Sequence, residues 1–236
     1  MIYGYGAYGF SVEAEFSAAN LALADRGWIY AVAHVRGGSE KGWSWYLAAR
    51  KLQKKRSFAD FIACADHLAD RGYGRRGAMT PYGLSAGGLL VGAVLNMRPD
   101  MWSAAIGQVP FVDMLNTMSD PSHPLVPLAR PDWGDPLSDP AAYDYIASYS
   151  PYDGVEAKAY PPVLATGSVA DDRVGYWEPA KWISKLRASS TSSAPFLLKV
   201  ADHAGHHGEP GRAGALRQQA MFFAFAIQAL ADRDLC

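Results

Sequence analysis

Three stretches of this chain hold residue types that together could break an acyl bond. The first is Gly83-Leu84-Ser85-Ala86-Gly87. It lies between an apolar strand-like run and an Ala/Leu/Val-rich helical run. A serine at so sharp a strand-turn-helix junction sits in strained backbone and needs small neighbours on both sides. Its Oγ then stands clear of the sheet, and the N–H of Ala86, at the helix N-terminus, can meet a developing oxyanion. A serine hydroxyl also needs a base, and the base needs an orienting carboxylate. On a scaffold of this kind the two follow in the order acid, then histidine, each after a later strand.

Both partners are available in that order. After the strand expected at residues 162–166 come Asp171 and Asp172, and after the one at 196–200 come His203, His206 and His207. Asp171 is favoured as the acid. His206 is favoured as the base because it follows Gly205 and opens the segment before the last helix; His203 and His207 remain alternatives. Asp202, His203, His206, His207 and Glu209 could also be read as metal ligands. No His-Glu-x-x-His helix supports that reading and the glycines mark a loop, so no metal is expected. A second oxyanion donor is expected from Gly4-Tyr5-Gly6-Ala7-Tyr8-Gly9, where glycines admit the substrate to the backbone and a Tyr hydroxyl can donate. Arg36-Gly37-Gly38-Ser39-Glu40 reads as a turn bracing the rim.

The elements that must position these groups alternate along the chain. Strands are expected at residues 1–3, 28–33, 77–82, 103–109, 162–166 and 196–200. Helices are expected at 17–25, from Ser57 as N-cap through the 58–69 stretch, and at 86–97, 178–188 and 213–231. Strands separated by helices imply crossovers and a mainly parallel sheet with helices on both faces. Pro81 sits awkwardly in what must be a central strand. From about 113 to 149 the pattern breaks into a proline-rich insertion, read as a structured cover over the sheet within one domain spanning 1–236.

Composition excludes several classes. Of 236 residues, 50% are hydrophobic and 19% charged, which argues for a packed core and against disorder. A net charge of −1 leaves no basic excess to hold nucleic acid or an anionic membrane. The longest apolar run, residues 220–231, is too short to span a bilayer. Two cysteines, Cys64 and Cys236, make no disulfide framework. Cys64 is expected as a buried, inert thiol. A cytoplasmic location follows as the default, with the periplasm left open, and the oligomeric state is not set.

Beyond these local signals, the chain resembles the catalytic domain of the prolyl oligopeptidase family of serine peptidases, and most of all its oligopeptidase B branch. The stretches that carry the resemblance are Y-G-Y-G-A-Y-G (3–9), A-H-V-R-G-G-S-E (33–40), G-L-S-A-G-G-L-L (83–90), Q-V-P-F-V-D (108–113), Y-S-P-Y-D (149–153) and Y-W-E-P-A-K-W (176–182). They cover nearly the whole chain in the family's order. The resemblance implies an α/β-hydrolase fold, Ser85 as nucleophile, Asp171 as acid and His206 as base, with Tyr5 and the Ala86 N–H at the oxyanion. It implies that Arg173 holds a substrate carbonyl, and that Tyr8, Trp133 and Val174 line the pocket for the residue before the scissile bond. Short peptides are the implied substrates and no cofactor is needed.

The match departs from the family in two places. Oligopeptidase B enzymes cut after Arg or Lys using acids in the insertion before a Trp-Gly pair. Here Ala129 and Pro131 stand at those positions and only Asp132 remains, so cleavage after basic residues would rest on Asp132. Family members also carry a β-propeller and further strands ahead of this domain. Neither is found before Tyr3, so the chain is read as a fragment, a split product or a short relative. The same triad would serve a carboxylic ester hydrolase, and an inactive fragment acting as a binding module is a third reading.

Overall fold

The computed structural model describes residues 1–234; Cys236 lies outside them. Six parallel strands make one sheet among the described residues: β1 (Ile2–Tyr3), β2 (Ala31–Val32), β3 (Pro81–Leu84), β4 (Ala105–Gln108), β5 (Val163–Ser168) and β6 (Phe196–Ala201). Their spatial order is β2-β1-β3-β4-β5-β6. Ile2 pairs with both Ala31 and Pro81, Tyr82 with Ile106, Ala105 with Val163, and Val163 with Phe196.

Alternation along the strands sends side chains to two separate apolar layers. Ala105, Val163 and Ala165 face one layer, where they meet helices α3 (Lys55–Asp70), α4 (Ala86–Met97) and α8 (Trp177–Ser189) through Phe58, Phe61, Leu90 and Trp182. Ile106 and Leu164 face the other, against α1 (Ala18–Ala24) and α9 (Gly211–Asp234) through Leu23, Phe222, Phe223 and Ala226. This is the parallel sheet covered on both faces that the α/β-hydrolase expectation describes. No helix among the described residues is long and apolar enough to cross a membrane.

Several boundaries differ from the sequence reading, each for a physical reason. Residues 28–33 pair over only Ala31–Val32, because this edge strand has a single neighbour that is itself two residues long. The strand expected at 77–82 is shifted to begin at Pro81, the position where a missing ladder donor is tolerated, so the proline ceases to be awkward. Helix α3 starts at Lys55, two residues before the expected cap, and buried Ser57 lies inside it, donating to the Arg36 carbonyl at 2.6 Å instead. Cys64, expected to be buried, is only partly covered on α3. Burial still raises its thiol pKa, with Asp60 adding to the effect.

The proline-rich stretch folds into helices α5 (Met114–Met118), α6 (Val126–Trp133) and α7 (Pro140–Ala147), and a short helix, α2 (Trp43–Leu47), precedes α3 in the chain. Prolines open α6 and α7, where a missing N–H costs nothing, and the Asp139 carboxylate caps α7 by accepting from Ala141 N–H at 2.9 Å.

Glu178 of α8 fastens the start of this insertion to the sheet. It is buried, and one carboxylate oxygen accepts from Val112 N–H at 2.8 Å and Asp113 N–H at 2.9 Å. The other accepts from the Thr117 hydroxyl at 2.7 Å. Burial dominates these bonds and pushes its pKa from 4.5 up to about 7. The folded state therefore binds this proton more tightly than the unfolded chain. Its stabilising contribution is full below about pH 4.5 and is lost as pH rises through about 7. Comparing melting temperatures of wild type and Glu178→Gln, the wild type loses several degrees relative to the variant between about pH 5 and pH 8. A constant difference across that range would take Glu178 out of the pH dependence.

Candidate active site

Parallel pairing brings the C-terminal ends of β3, β5 and β6 to one edge of the sheet, and the loops that leave them form the site. At the end of β3, Ser85 is one of four non-glycine residues with positive φ among those described, at φ 57° and ψ −116°. The turn is held on both sides: Ser85 N–H donates to the Gln108 carbonyl at 2.9 Å, and the Ser85 carbonyl accepts from Phe111 N–H at 3.0 Å. The flanking glycines are sterically required. A Cβ on Gly83 would overlap the Gly87 carbonyl, and one on Gly87 would lie 2.5 Å from the Gly4 carbonyl oxygen. Ala86 is the first residue of α4, so its N–H has no intrahelical acceptor and is free for an anion.

The loops after β5 and β6 meet as well. His206 Nδ1 lies 2.8 Å from Asp171 Oδ2 and 3.0 Å from Oδ1, and the two side chains are 6% and 0% exposed. Asp171 Oδ1 also accepts from Arg173 N–H at 2.8 Å and Val174 N–H at 3.0 Å. Burial pushes the Asp171 carboxyl up, but the hydrogen bonds from His206, Val174 and Arg173 outweigh it and hold its pKa below the ordinary value. An ionised carboxylate only accepts, so Nδ1 carries the proton and Nε2 keeps its lone pair. Ser168, the last residue of β5, donates through its hydroxyl to the Ala204 carbonyl and ties the histidine loop to the sheet. Of the alternatives, Asp172 and His203 are exposed, and His207 stacks its ring edge-on to His206 with centroids 5.5 Å apart. Among the described residues no three His, Cys, Asp or Glu side chains gather as metal ligands; Glu209 pairs with Lys199 and Arg217 instead.

Ser85 and His206 line one cleft of about 500 Å³, together with Tyr5, Tyr8, Arg173 and Val174. Among the described residues Ser85 Oγ makes no hydrogen bond, so proton transfer requires His206 Nε2 to close on it, as such pairs do when substrate binds. Burial, assisted by neighbouring Tyr3, raises the Tyr5 hydroxyl pKa to about 12, with Arg173 opposing and Asp132 adding to the rise. Tyr5 therefore keeps its proton across the neutral range and serves as a donor.

Two expected pocket residues are not on the cleft wall. The Asp132 carboxylate points beneath Tyr8, accepting from Tyr8 N–H at 3.0 Å and from the Tyr46 hydroxyl at 3.2 Å. Trp133 is buried behind Tyr8, its indole N–H donating to the Tyr8 hydroxyl at 2.9 Å with the rings edge-to-face. The reason is backbone strain: Tyr8 has φ 59°, and these groups hold it there. The insertion instead lends the cleft side chains such as Met118, Leu125 and Ala129, none of which the sequence reading singled out as lining residues. No Asp or Glu lines the cleft among the described residues. Sequence reasoning also missed Lys54, which lies within a Lys-Lys-Arg run that looks like solvated surface.

With this geometry in hand, the comparisons with known proteins agree among themselves. The prolyl oligopeptidase family profile matches residues 14–233. Dipeptidyl aminopeptidase BI of Pseudoxanthomonas mexicana is 43% identical over 228 residues, covering 97% of this chain and 31% of that protein. Oligopeptidase B from Leishmania major superposes with a TM-score of 0.94 at 44% identity, over 98% of this chain and 32% of that one. Oligopeptidase B from Trypanosoma brucei, in a closed form with covalently bound antipain, gives 0.92 at 47% identity, over 98% and 32%. The chain spans about a third of the length of the curated relatives it matches. The chain belongs to the prolyl oligopeptidase family and carries its α/β-hydrolase fold.

Proposed function

We propose that this chain is the catalytic unit of a serine peptidase that hydrolyses peptide bonds of short peptides through an acyl-enzyme. His206 Nε2 takes the proton from Ser85 Oγ as the oxygen attacks the scissile carbonyl carbon. The carbonyl oxygen becomes an oxyanion between the Ala86 N–H and the Tyr5 hydroxyl. His206 then passes its proton to the leaving amine, the C–N bond breaks, and the acyl group stays on Ser85. A water attacks in the second half by the same proton route and frees Ser85. Asp171 fixes the imidazole tautomer and stabilises the imidazolium. Arg173, on the rim, donates to a substrate carbonyl. Every step is proton transfer or charge stabilisation by these groups, so none calls for a cofactor. A cytoplasmic site of action suits a chain whose partly covered Cys64 is a free thiol.

The observation that carries this reading is the buried Asp171–His206 pair on the same cleft as a serine in strained left-handed backbone. A fluorophosphonate probe tests it: wild type is labelled and Ser85→Ala is not, while His206→Ala slows labelling by at least about a thousandfold. Folded wild type that resists the probe would leave a binding module as the better account. Comparing an ester and an amide with one acyl group separates an esterase from a peptidase.

The cleft wall favours a second reading of the residue preference. The resemblance implies Arg or Lys before the scissile bond, yet Tyr5, Tyr8, Phe10 and Phe111 dominate the lining and no carboxylate among the described residues faces it. A guanidinium seated there would lose its charge-assisted bonds to water without a carboxylate in exchange. Matched peptide amides with Phe or Arg at that position are expected to give kcat/KM at least as high for Phe. A preference for Arg of about tenfold or more, worth about 1.4 kcal/mol, restores the basic specificity.

A further inference from the structure

The loop of residues 4–9 that carries Tyr5 turns through left-handed backbone at Gly6 (φ 67°), Tyr8 (59°) and Gly9 (65°), and at Tyr8, which has a Cβ, this is strained. Such backbone persists only where its surroundings over-determine it. The surroundings here are polar, buried and drawn from two distant parts of the chain. From the residue preceding α3, Lys54 donates its ammonium to the Gly6 carbonyl, one residue past Tyr5, although this lysine is only 3% exposed. Its Nζ lies 4.8 Å from the centroid of the Trp133 ring, a cation over an aromatic face. From the end of α6, Asp132 accepts from the Tyr8 N–H and the Trp133 indole N–H donates to the Tyr8 hydroxyl. Ser57 adds a hydroxyl 3.4 Å from the same Gly6 carbonyl.

A fully buried ammonium is a costly way to hold one carbonyl, and no step of the proposed reaction uses it. Burial lowers the Lys54 pKa to about 7, and the charge of Asp132 opposes that shift. The groups facing it are Asp132 and Trp133 from α6, the Gly6 carbonyl of the loop and Ser57 of α3. Tyr46 of α2 and Arg50 reach it through Asp132. Asp132 is the charged side chain among them that acts on the ammonium directly.

We infer that Lys54 is a positioning residue, whose charge, balanced by Asp132, pins the Gly6 carbonyl and thereby holds Tyr5 where the oxyanion forms. This rests on the serine-hydrolase reading above. Loss of the Lys54 charge loosens the loop, lowers kcat and leaves substrate binding nearly intact. Lys54 and Asp132 then act on turnover itself, not on the choice of residue before the scissile bond.

The test measures kcat and KM against pH for wild type, Lys54→Met, Lys54→Arg and Asp132→Asn, with fluorophosphonate labelling of Ser85 in each. Lys54→Met is expected to lower kcat by about 10- to 100-fold with KM within about threefold, less than the roughly 100- to 1000-fold of losing an oxyanion donor outright because Tyr5 is loosened and not removed. Wild-type kcat is expected to fall on the alkaline side as Lys54 loses its proton, and Lys54→Met removes that fall. A guanidinium does not titrate in the accessible range, so Lys54→Arg moves that fall upward by more than about one pH unit. Asp132→Asn lowers turnover of Arg and Phe substrates by the same factor.

An unchanged alkaline limb in Lys54→Arg overturns the inference even if Lys54→Met fails to fold. So does a wild-type kcat in Lys54→Met, or an Asp132→Asn effect confined to Arg substrates. Labelled wild type alongside any of these results leaves the serine hydrolase standing and removes Lys54 alone. Unlabelled wild type takes both readings down.

Discussion

A parallel sheet puts the carboxyl ends of all its strands on one edge, and every side chain of the proposed triad hangs from that edge. Ser85 leaves β3, Asp171 follows β5 and His206 follows β6, so residues 35 to 121 positions apart in sequence share one cleft. The register fixes how far each loop starts from the next. The loops add local locks: Ser168 holds the histidine loop to the end of β5, and two backbone N–H groups hold Asp171 under His206. The strain at Ser85 is stored at the end of an interior strand, β3, which is paired on both sides by β1 and β4. A loop on its own could not keep a serine at φ 57°.

The second layer of organisation is a set of buried charges that touch no substrate. Glu178 binds the start of the insertion, Asp132 binds Tyr8 near its end, and Lys54 binds Gly6 from beneath. Burying such groups gains little net stability, since desolvation offsets most of what their hydrogen bonds return. What they give is uniqueness of position. Each accepts from or donates to backbone at a place where helical or sheet pairing has stopped and the chain would otherwise have several conformations. The insertion is in this way part of the cleft, although it supplies none of the three side chains of the proposed triad.

This division explains what the sequence disclosed. The sharp turn at Ser85 was legible because its neighbours must be small for steric reasons that show up as a pattern. The meeting of Asp171 with His206 was legible because parallel strand order brings the loops after β5 and β6 to one edge. The fold class followed from alternating strands and helices, and the shift of β3 to Pro81 tightened that reading without changing it. Asp132 read as a pocket acid because sequence position says which segment a residue belongs to and nothing of which way its carboxylate turns. That direction is set by Tyr8 N–H and the Tyr46 hydroxyl, 124 and 86 residues away. Lys54 was invisible for the same reason: within a basic run, one lysine turned inward has no local signature. Ser57 resembled an N-cap and is instead a buried donor to the Arg36 carbonyl.

Chemistry and selectivity thus draw on different structural sources in this chain. The triad depends on sheet register, which many side-chain changes in the insertion would leave untouched. The cleft wall depends on which insertion side chains face inward, and there Ala129 and its apolar neighbours stand where a carboxylate would be needed to neutralise a bound guanidinium. Tyr8 is the joint between the two: its backbone belongs to the oxyanion loop, its ring lines the cleft, and its N–H and hydroxyl are both held by α6. A change in α6 therefore reaches the loop that carries Tyr5 through one strained residue, while a change in the cleft-facing side chains of the insertion leaves the Asp171–His206 pair in place.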